Sequence, residues 1–197
     1  MTTIIFATNN KNKLRELRSI FPNVSILSLN ELGYEKEIIE DGKTFEENAL
    51  IKARQVSLDL NMTVVAEDSG LEVDALGGAP GIYSARYAGL DKDDEANNQL
   101  LLKNLVGVEN RTARYVCAIC VYHPDGEYKI FKETCSGIII DQRRGGGGFG
   151  YDPYFYIPMF GKTFAEVPLE MKNTISHRSK AFNKLKEVCN EDLSFKW

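Results

Sequence analysis

Several things are scarce in this chain, and each scarcity removes a class of protein. No apolar run reaches the roughly 20 residues that a membrane span requires. The first residues, Met1-Thr2-Thr3-Ile4-Ile5-Phe6-Ala7, stay apolar only briefly and lack the basic flank of a signal peptide. A cytoplasmic location, away from any membrane, is therefore expected. Only four cysteines occur in 197 residues, Cys117, Cys120, Cys135 and Cys189. Cys117 and Cys120 form a C-x-x-C, but they lie within Tyr115-Val116-Cys117-Ala118-Ile119-Cys120-Val121-Tyr122, a β-branched and aromatic run that reads as a buried strand. Positions i and i+3 of a strand point to opposite faces, so the pair cannot chelate one ion. No second C-x-x-C exists, and ordinary buried thiols are expected. There is no Gly-x4-Gly-Lys-Ser/Thr, which excludes a P-loop, and no internal repeat or obvious linker.

What is present suits one α/β domain over residues 1–197. Hydrophobic residues make up 43% and charged residues 26%, close to the soluble globular average and sufficient for a real core. Residues 3–7 read as a strand and residues 11–21 as a helix with Leu14, Leu17 and Ile20 on one side. The polar hinge Thr8-Asn9-Asn10 between them leads to a helix N-terminus with unpaired N–H groups, which favour phosphate. Thr44 and Glu47 make a capping box for a second helix that carries Phe45, Ala49, Ala53, Val56 and Leu60. A strand over residues 62–66 is expected to end in the turn Glu67-Asp68-Ser69-Gly70, and residues 77–81 to form a loop. A helix over residues 95–106 follows. Residues 112–122, 128–134 and 136–140 read as successive strands, with His123-Pro124-Asp125-Gly126 as a hairpin turn. A last helix is expected over residues 176–188, capped by Ser176, with Phe182, Leu185 and Val188 inward.

The net charge of -4 means that any phosphate must be held by a local cluster that overrides the global sign. Seven acids crowd residues 31–47: Glu31, Glu35, Glu37, Glu40, Asp41, Glu46 and Glu47. Lys172, Arg178, Lys180, Lys184 and Lys186 fall in a stretch with no acid. Most members of such runs form solvated faces. Together, however, they supply carboxylates for a metal and cations for phosphate oxygens. Gly145, Gly147 and Gly150 satisfy G-x-G-x-x-G, yet no helix opens after them, because Tyr151-Asp152-Pro153-Tyr154-Phe155-Tyr156-Ile157-Pro158 is extended and proline-broken. The dinucleotide-binding reading fails on that ground.

Six segments, in order, resemble the inosine triphosphate pyrophosphatase family, the dITP/XTP pyrophosphatases. They are Thr8-Asn9-Asn10-Lys11-Asn12-Lys13, and Thr44-Phe45-Glu46-Glu47-Asn48-Ala49 with Lys52 and Ala53. Next come Glu67-Asp68-Ser69-Gly70-Leu71 and Leu76-Gly77-Gly78-Ala79-Pro80-Gly81-Ile82-Tyr83-Ser84-Ala85-Arg86-Tyr87. Last are Gly148-Phe149-Gly150-Tyr151-Asp152-Pro153 and Lys172-Asn173-Thr174-Ile175-Ser176-His177-Arg178. Each is weak alone, but their order and spacing are specific. The resemblance implies an α/β fold with a long central mixed sheet flanked by helices, in two lobes with a nucleotide cleft between them. It also implies a homodimer that uses Mg2+ and splits non-standard purine nucleoside triphosphates by water attack at the α-phosphorus. One departure is Gln142-Arg143-Arg144-Gly145, where the family commonly has proline before the arginine and fewer glycines after it, which bears on the stiffness of the loop.

Such a reaction needs an activated water, a metal, and cations for the leaving pyrophosphate. The resemblance assigns Thr8, Asn9, Asn10, Lys11, Asn12 and Lys13 to the triphosphate, with Lys13 as its main cation. Lys52, four residues beyond Asn48, can share a helix face with it, and by resemblance it also reaches the phosphates. Asp68 is the expected catalytic carboxylate, orienting or deprotonating the water and binding the metal with Glu40, while Glu67 assists. His177 and Arg178 are expected to donate to the keto oxygen of the base, and Phe149 to stack on its ring. Asp152 is expected to accept its N1–H. Ser69, Arg86, Gly150, Tyr151 and Lys172 complete the binding set by resemblance. The rival readings are a hydrolase that releases orthophosphate or prefers another base, and a nucleotide- or RNA-binding module without turnover. The net charge and the lack of aromatic-interleaved basic strands argue against a nucleic-acid partner.

Overall fold

The computed structural model describes residues 3–191. Strand β1 (Thr3–Phe6) leads to helix α1 (Lys11–Ile20), strand β2 (Ser25–Ser28), helix α2 (Phe45–Leu60) and strand β3 (Val64–Val73). A short helical turn over Gly81–Arg86 and helix α3 (Asp94–Asn104) precede strands β4 (Thr112–Tyr122), β5 (Tyr128–Ile139), β6 (Phe155–Ile157) and β7 (Lys162–Thr163). Helices α4 (Leu169–Ile175) and α5 (His177–Glu191) close the chain. Among the described residues, seven strands form one sheet in the order β2-β1-β3-β4-β5-β6-β7. Strand β1 is parallel to β2 and β3, while β6 is antiparallel to β5 and β7, so the sheet is mixed, as expected. No helix among the described residues is long and apolar enough to cross a membrane.

The helix starts follow from their caps. Asn10 Oδ1 accepts from the N–H groups of Asn12 and Lys13 at 2.9 and 3.2 Å, which satisfies two orphan donors of α1. Thr44 Oγ1 accepts from Glu47 N at 3.1 Å; the reciprocal Glu47 carboxylate reaches Lys43 N at 2.6 Å, one residue earlier than in the usual box. Helix α2 ends at Asn61, a left-handed residue (φ 52, ψ 45) of the kind that stops a helix.

Two compact units divide the chain, residues 1–68, 117–133 and 178–197 in the first and residues 69–116 and 134–177 in the second. Within the first unit, Ile4, Phe6, Leu14, Leu17, Val65, Cys117, Ile119, Phe182 and Leu185 share one core. Within the second, Leu71, Val73, Leu101, Leu105, Tyr115, Phe155 and Phe164 share another. The inward placing of Phe182 and Leu185 follows the helical spacing; the side chains of Val188 and Cys189 lie outside what the structure describes. Cys117, Cys120 and Cys135 are buried thiols that take part in no disulfide among the described residues. Burial pushes the Cys120 thiol up to about 12, so it stays protonated at any ordinary pH.

Three local expectations are corrected. Strand β3 does not end at Ala66 but continues through Glu67, Asp68, Ser69 and Gly70 to Val73. Gly70 is buried in the strand, and the apolar Leu71 and Val73 beyond it pay for its flexibility by entering the second core. Residues 128–134 and 136–140 are not separate strands but the single β5, because Cys135 is buried within the run and nothing there breaks the pairing. Helix α4 was not expected: its seven residues are too few to show a periodic apolar face.

The Phe182 ring meets Phe6 and Phe21 edge-on, with centroids 5.8 and 5.9 Å away. Phe182→Ala should therefore lower unfolding free energy by about 3–5 kcal/mol, read from the urea midpoint at unchanged slope.

Candidate active site

In the first unit, several of the candidate side chains converge on the middle of β3. Glu67 is 2% exposed and carries three charge-assisted contacts. Its Oε2 accepts from Arg178 Nε at 2.8 Å, and its Oε1 accepts from Arg178 Nη2 at 2.8 Å and pairs with Lys13 Nζ at 3.1 Å. The third guanidinium nitrogen, Nη1, donates to Glu16 Oε2. Two acids and two bases thus form one chain, buried except for the half-buried Lys13: Glu16, Arg178, Glu67 and Lys13. Burial works against the Arg178 charge, and the carboxylates of Glu67 and Glu16 more than offset it, holding the guanidinium ionised well above its ordinary range. The neighbouring Cys117 thiol is pushed up by burial and by the Glu67 charge, so it adds no anion to the cluster.

Asp68, the next residue, is held from α2. Its Oδ2 accepts from Asn48 Nδ2 at 3.1 Å, and its Oδ1 lies 3.5 Å from Lys52 Nζ. The same ammonium sits 2.5 Å from Glu40 Oε2. Asn48 and Lys52 do share a helix face, four residues apart. Asn48 Oδ1 in turn accepts from Gly42 N at 2.9 Å, which anchors the segment that carries Glu40. A side chain at Gly42 would meet Asn48 Oδ1 at 2.6 Å and Glu47 Cβ at 2.8 Å, so this close approach requires glycine. Glu40 and Asp68 therefore reach one point in space with an amide nearby, a hard-oxygen donor set. No group of three His, Cys, Asp or Glu residues able to hold a metal occurs among the described residues. Two carboxylates fit magnesium, which takes one or two from the protein and keeps its waters.

The second unit holds the other cluster, around a loop. Asp152 is 2% exposed. Its Oδ2 accepts from Lys172 Nζ at 2.6 Å and from Phe149 N at 3.0 Å, and its Oδ1 accepts from Tyr115 Oη at 3.2 Å. The Lys172 ammonium also lies 5.2 Å from the Phe149 ring centroid and 5.0 Å from that of Phe164, a cation–π placing. His177 stacks on Tyr115 with centroids 4.7 Å apart and planes 9° from parallel. Tyr151 Oη donates to Ser84 O at 2.7 Å, and burial raises its phenol well above the usual range.

The chain as a whole has close counterparts. The sequence profile of the Ham1 family matches residues 4–188. The chain belongs to the Ham1 family. A Staphylococcus aureus protein named dITP/XTP pyrophosphatase is 47% identical over 192 residues, covering 98% of each chain. The solved structure of the Staphylococcus aureus Ham1 protein is 47% identical and matches with a TM-score of 0.88, over 96% of this chain and 99% of that one. A HAM1 protein from Coxiella burnetii matches with the same TM-score at 35% identity, over 98% and 100% of the two chains.

Within this Ham1 framework the expected site residues divide into three groups. Lys13, Glu40, Lys52 and Asp68 gather around Glu67 and Asn48; Phe149, Asp152, Lys172 and His177 gather around Tyr115. Several others serve the backbone. Thr8 Oγ1 accepts from Asn10 N at 3.1 Å, Asn9 Oδ1 accepts from Asn30 N at 2.8 Å, and Asn10 caps α1. Lys11 and Asn12 form the first turn of α1, Ser69 continues β3, and the Arg86 guanidinium lies 5.4 Å from the Tyr83 ring centroid. Asp68 lies within a strand, not at its terminal turn. Arg178 departs most from expectation: its guanidinium is directed to Glu67 and Glu16, where two buried carboxylates demand a planar, five-donor partner. Sequence reasoning missed Glu16, Asn48 as a partner of Asp68, and Tyr115. The one available signal was helical spacing, which puts Glu16 one turn beyond Lys13.

Removing one member of a buried ion network leaves the others uncompensated. Glu16→Ala is expected to cost about 3–5 kcal/mol of stability in urea unfolding at low salt. A loss below about 1 kcal/mol would show that Glu16 carries no buried charge pair.

Proposed function

We propose that the chain hydrolyses non-standard purine nucleoside triphosphates (ITP, dITP and XTP) to the nucleoside monophosphate and pyrophosphate. It thereby clears the nucleotide pool of bases that would otherwise enter DNA and RNA. The observation that carries this reading is Asp68, a buried carboxylate flanked by Glu40 and Lys52, in a chain that aligns almost end to end with a dITP/XTP pyrophosphatase.

Glu40 and Asp68 would hold a magnesium ion. When bound, it neutralises phosphate charge and lowers the pKa of a coordinated water. Asp68 accepts a proton from the attacking water, and Asn48 keeps its carboxylate aimed by fixing Oδ2. Lys52, which bridges Glu40 and Asp68 here, turns to the phosphate oxygens as substrate enters. Lys13, held at Glu67, is the main cation for the leaving pyrophosphate, and the capped N-terminus of α1 with Thr8, Asn9, Asn10, Lys11 and Asn12 adds N–H donors and polar groups. Water attacks the α-phosphorus, the bond to the bridging oxygen breaks, and pyrophosphate leaves with that oxygen.

Base choice falls to the Asp152 cluster. A keto purine presents an acceptor at O6 and a donor at N1, whereas adenine reverses both. Asp152 accepts from N1–H, His177 and Lys172 supply donors to the keto oxygen, and Phe149 stacks on the ring. Arg178, occupied by two carboxylates, contributes by fixing the start of α5 beside Glu67. Ser69, Arg86, Gly150 and Tyr151 shape the binding surface. The whole of residues 1–197 acts as one nucleoside triphosphate pyrophosphatase domain, as a homodimer in the cytoplasm. Its partner is a free nucleotide, with no nucleic acid and no membrane involved. The family resemblance supports the dimer and the metal, and the net charge of -4 supports the free nucleotide.

Incubation with ITP, XTP, GTP and ATP in Mg2+ tests this directly. Pyrophosphate should appear from ITP and XTP far faster than from ATP; orthophosphate as the sole product, or equal turnover of ATP and ITP, overturns the reading. Asp68→Asn preserves the shape and is expected to lower kcat by about 10²–10⁴-fold. Near-normal turnover would remove Asp68 from the chemistry. His177→Ala should erode the preference for ITP over ATP, and an unchanged ratio would reassign the base contact.

A further inference from the structure

We propose that Asp94 and Asn98 are positioning residues for base selection: from helix α3 they grip both backbone polar groups of Gly150 and so fix the segment carrying Phe149 and Asp152. This rests on the functional reading given above and names the device that keeps its base-reading groups in place.

The need for such a device lies in the loop's own sequence. Gly145, Gly146, Gly147, Gly148 and Gly150 leave only Phe149 with a side chain over six positions. Glycine loses more conformational freedom on ordering than any other residue, so the run cannot hold a shape by itself. Its early part is tied to residues 163–165. Gly147 N donates to Ala165 O at 3.0 Å, and Thr163 Oγ1 donates to Arg144 O at 2.9 Å. Beyond the loop, Ala165 N donates to Asp152 O at 3.2 Å. Between those ties lie residues 148–150, and there α3 takes over.

Asp94 Oδ2 accepts from Gly150 N at 2.8 Å, and Asn98 Nδ2 donates to Gly150 O at 2.9 Å. The two side chains are four residues apart, which places them one above the other on the same helix face. Asn98 is only 3% exposed, and its amide nitrogen also donates to Asp94 O at 2.8 Å, so it cannot rotate without losing both bonds. Helix α3 is itself anchored: Asn97 accepts from Ala88 N at 2.7 Å and donates to Ala85 O at 3.1 Å, while Leu101 is fully buried. A rigid element therefore grips a pliable one.

What the grip controls follows from local geometry. Gly150 has a left-handed φ of +60, although a Cβ there would meet nothing within 4 Å; backbone conformation, not space, requires glycine. That turn lets Phe149 N reach Asp152 Oδ2 at 3.0 Å and Asp152 N reach Phe149 O at 3.2 Å. The gripped residue thus sits between the stacking ring and the carboxylate that must be aligned with a purine. At Gly148 a Cβ would fall 2.1 Å from Asp152 Oδ2, so small shifts of this loop translate into collisions with, or displacement of, that acceptor. Hydrogen-bond discrimination depends on such alignment.

The test compares wild type with Asp94→Ala, Asp94→Asn and Asn98→Leu, measuring kcat and KM for ITP and ATP together with the melting temperature. Asp94→Ala and Asn98→Leu should each raise KM for ITP about tenfold, with kcat within about twofold. The ITP-over-ATP preference should fall several-fold. Asp94→Asn keeps an acceptor for Gly150 N and should recover most of the loss. Asp94→Ala leaves the Asp93 cap of α3 intact, so its melting temperature should match that of wild type. An active wild type with Asp94→Ala and Asn98→Leu unchanged in KM and preference overturns this proposal alone. Equal losses for ITP and ATP that track a fall in melting temperature overturn it as well. A wild type that releases no pyrophosphate from ITP overturns the functional reading, and this proposal with it.

Discussion

Glu67 is the constraint around which the first unit is organised. A carboxylate that is 2% exposed carries a desolvation cost of several kcal/mol unless its lone pairs are answered. Arg178 answers with two parallel N–H bonds and Lys13 with a third contact, and the surplus positive charge of that arrangement is met by Glu16. Helices α1 and α5 are thus pinned to β3 at one charge. Arginine suits this position because its rigid planar fork serves two carboxylates at once, one of them through two parallel bonds, a geometry that the point charge of a lysine does not fix. The consequence for chemistry is positional. Asp68 follows Glu67 in the same strand, so anchoring one fixes the backbone of the other. Asn48 and Lys52 then set the orientation of the Asp68 carboxylate from a different helix.

Local signals were readable and distant ones were not. The cap at Asn10, the cap at Thr44 and the full span of β4 follow from short-range chemistry, and the sequence displays them openly. The α/β class followed from alternating strand and helix texture, and the mixed sheet from the family resemblance. The strand through Asp68 was hidden because Asp-Ser-Gly is turn vocabulary; only burial of Gly70 and the apolar residues beyond it reveal continuation. The true partners of Arg178 lie 111 and 162 residues away along the chain, beyond the reach of any periodicity argument. A histidine and an arginine side by side at a helix start suggested one shared task, whereas the backbone sends His177 onto Tyr115 and Arg178 into the acid pair. Ordered segment matching located the candidate residues; the geometry sorted them into those that meet and those that hold the chain.

The glycine-rich loop illustrates the opposite lesson. Its composition suggested slackness, and the structure locates the stiffness elsewhere, in side chains of α3 and in backbone ties to residues 163–165. Flexibility of a sequence and flexibility of a site are separate properties. A run with almost no side chains can approach Asp152 and Ala165 closely because nothing protrudes, provided that neighbours supply the restraint.

The thiols have a practical consequence. Cys117 and Cys120 sit on opposite faces of β4, each with no solvent contact, and Cys135 is nearly as enclosed. Oxidation cannot join the first two without tearing the sheet, and alkylating reagents meet none of the three while the native packing holds. The rate at which these sulfurs become modified is therefore a clock for transient opening of the protein, supplied by its own sequence without any introduced label.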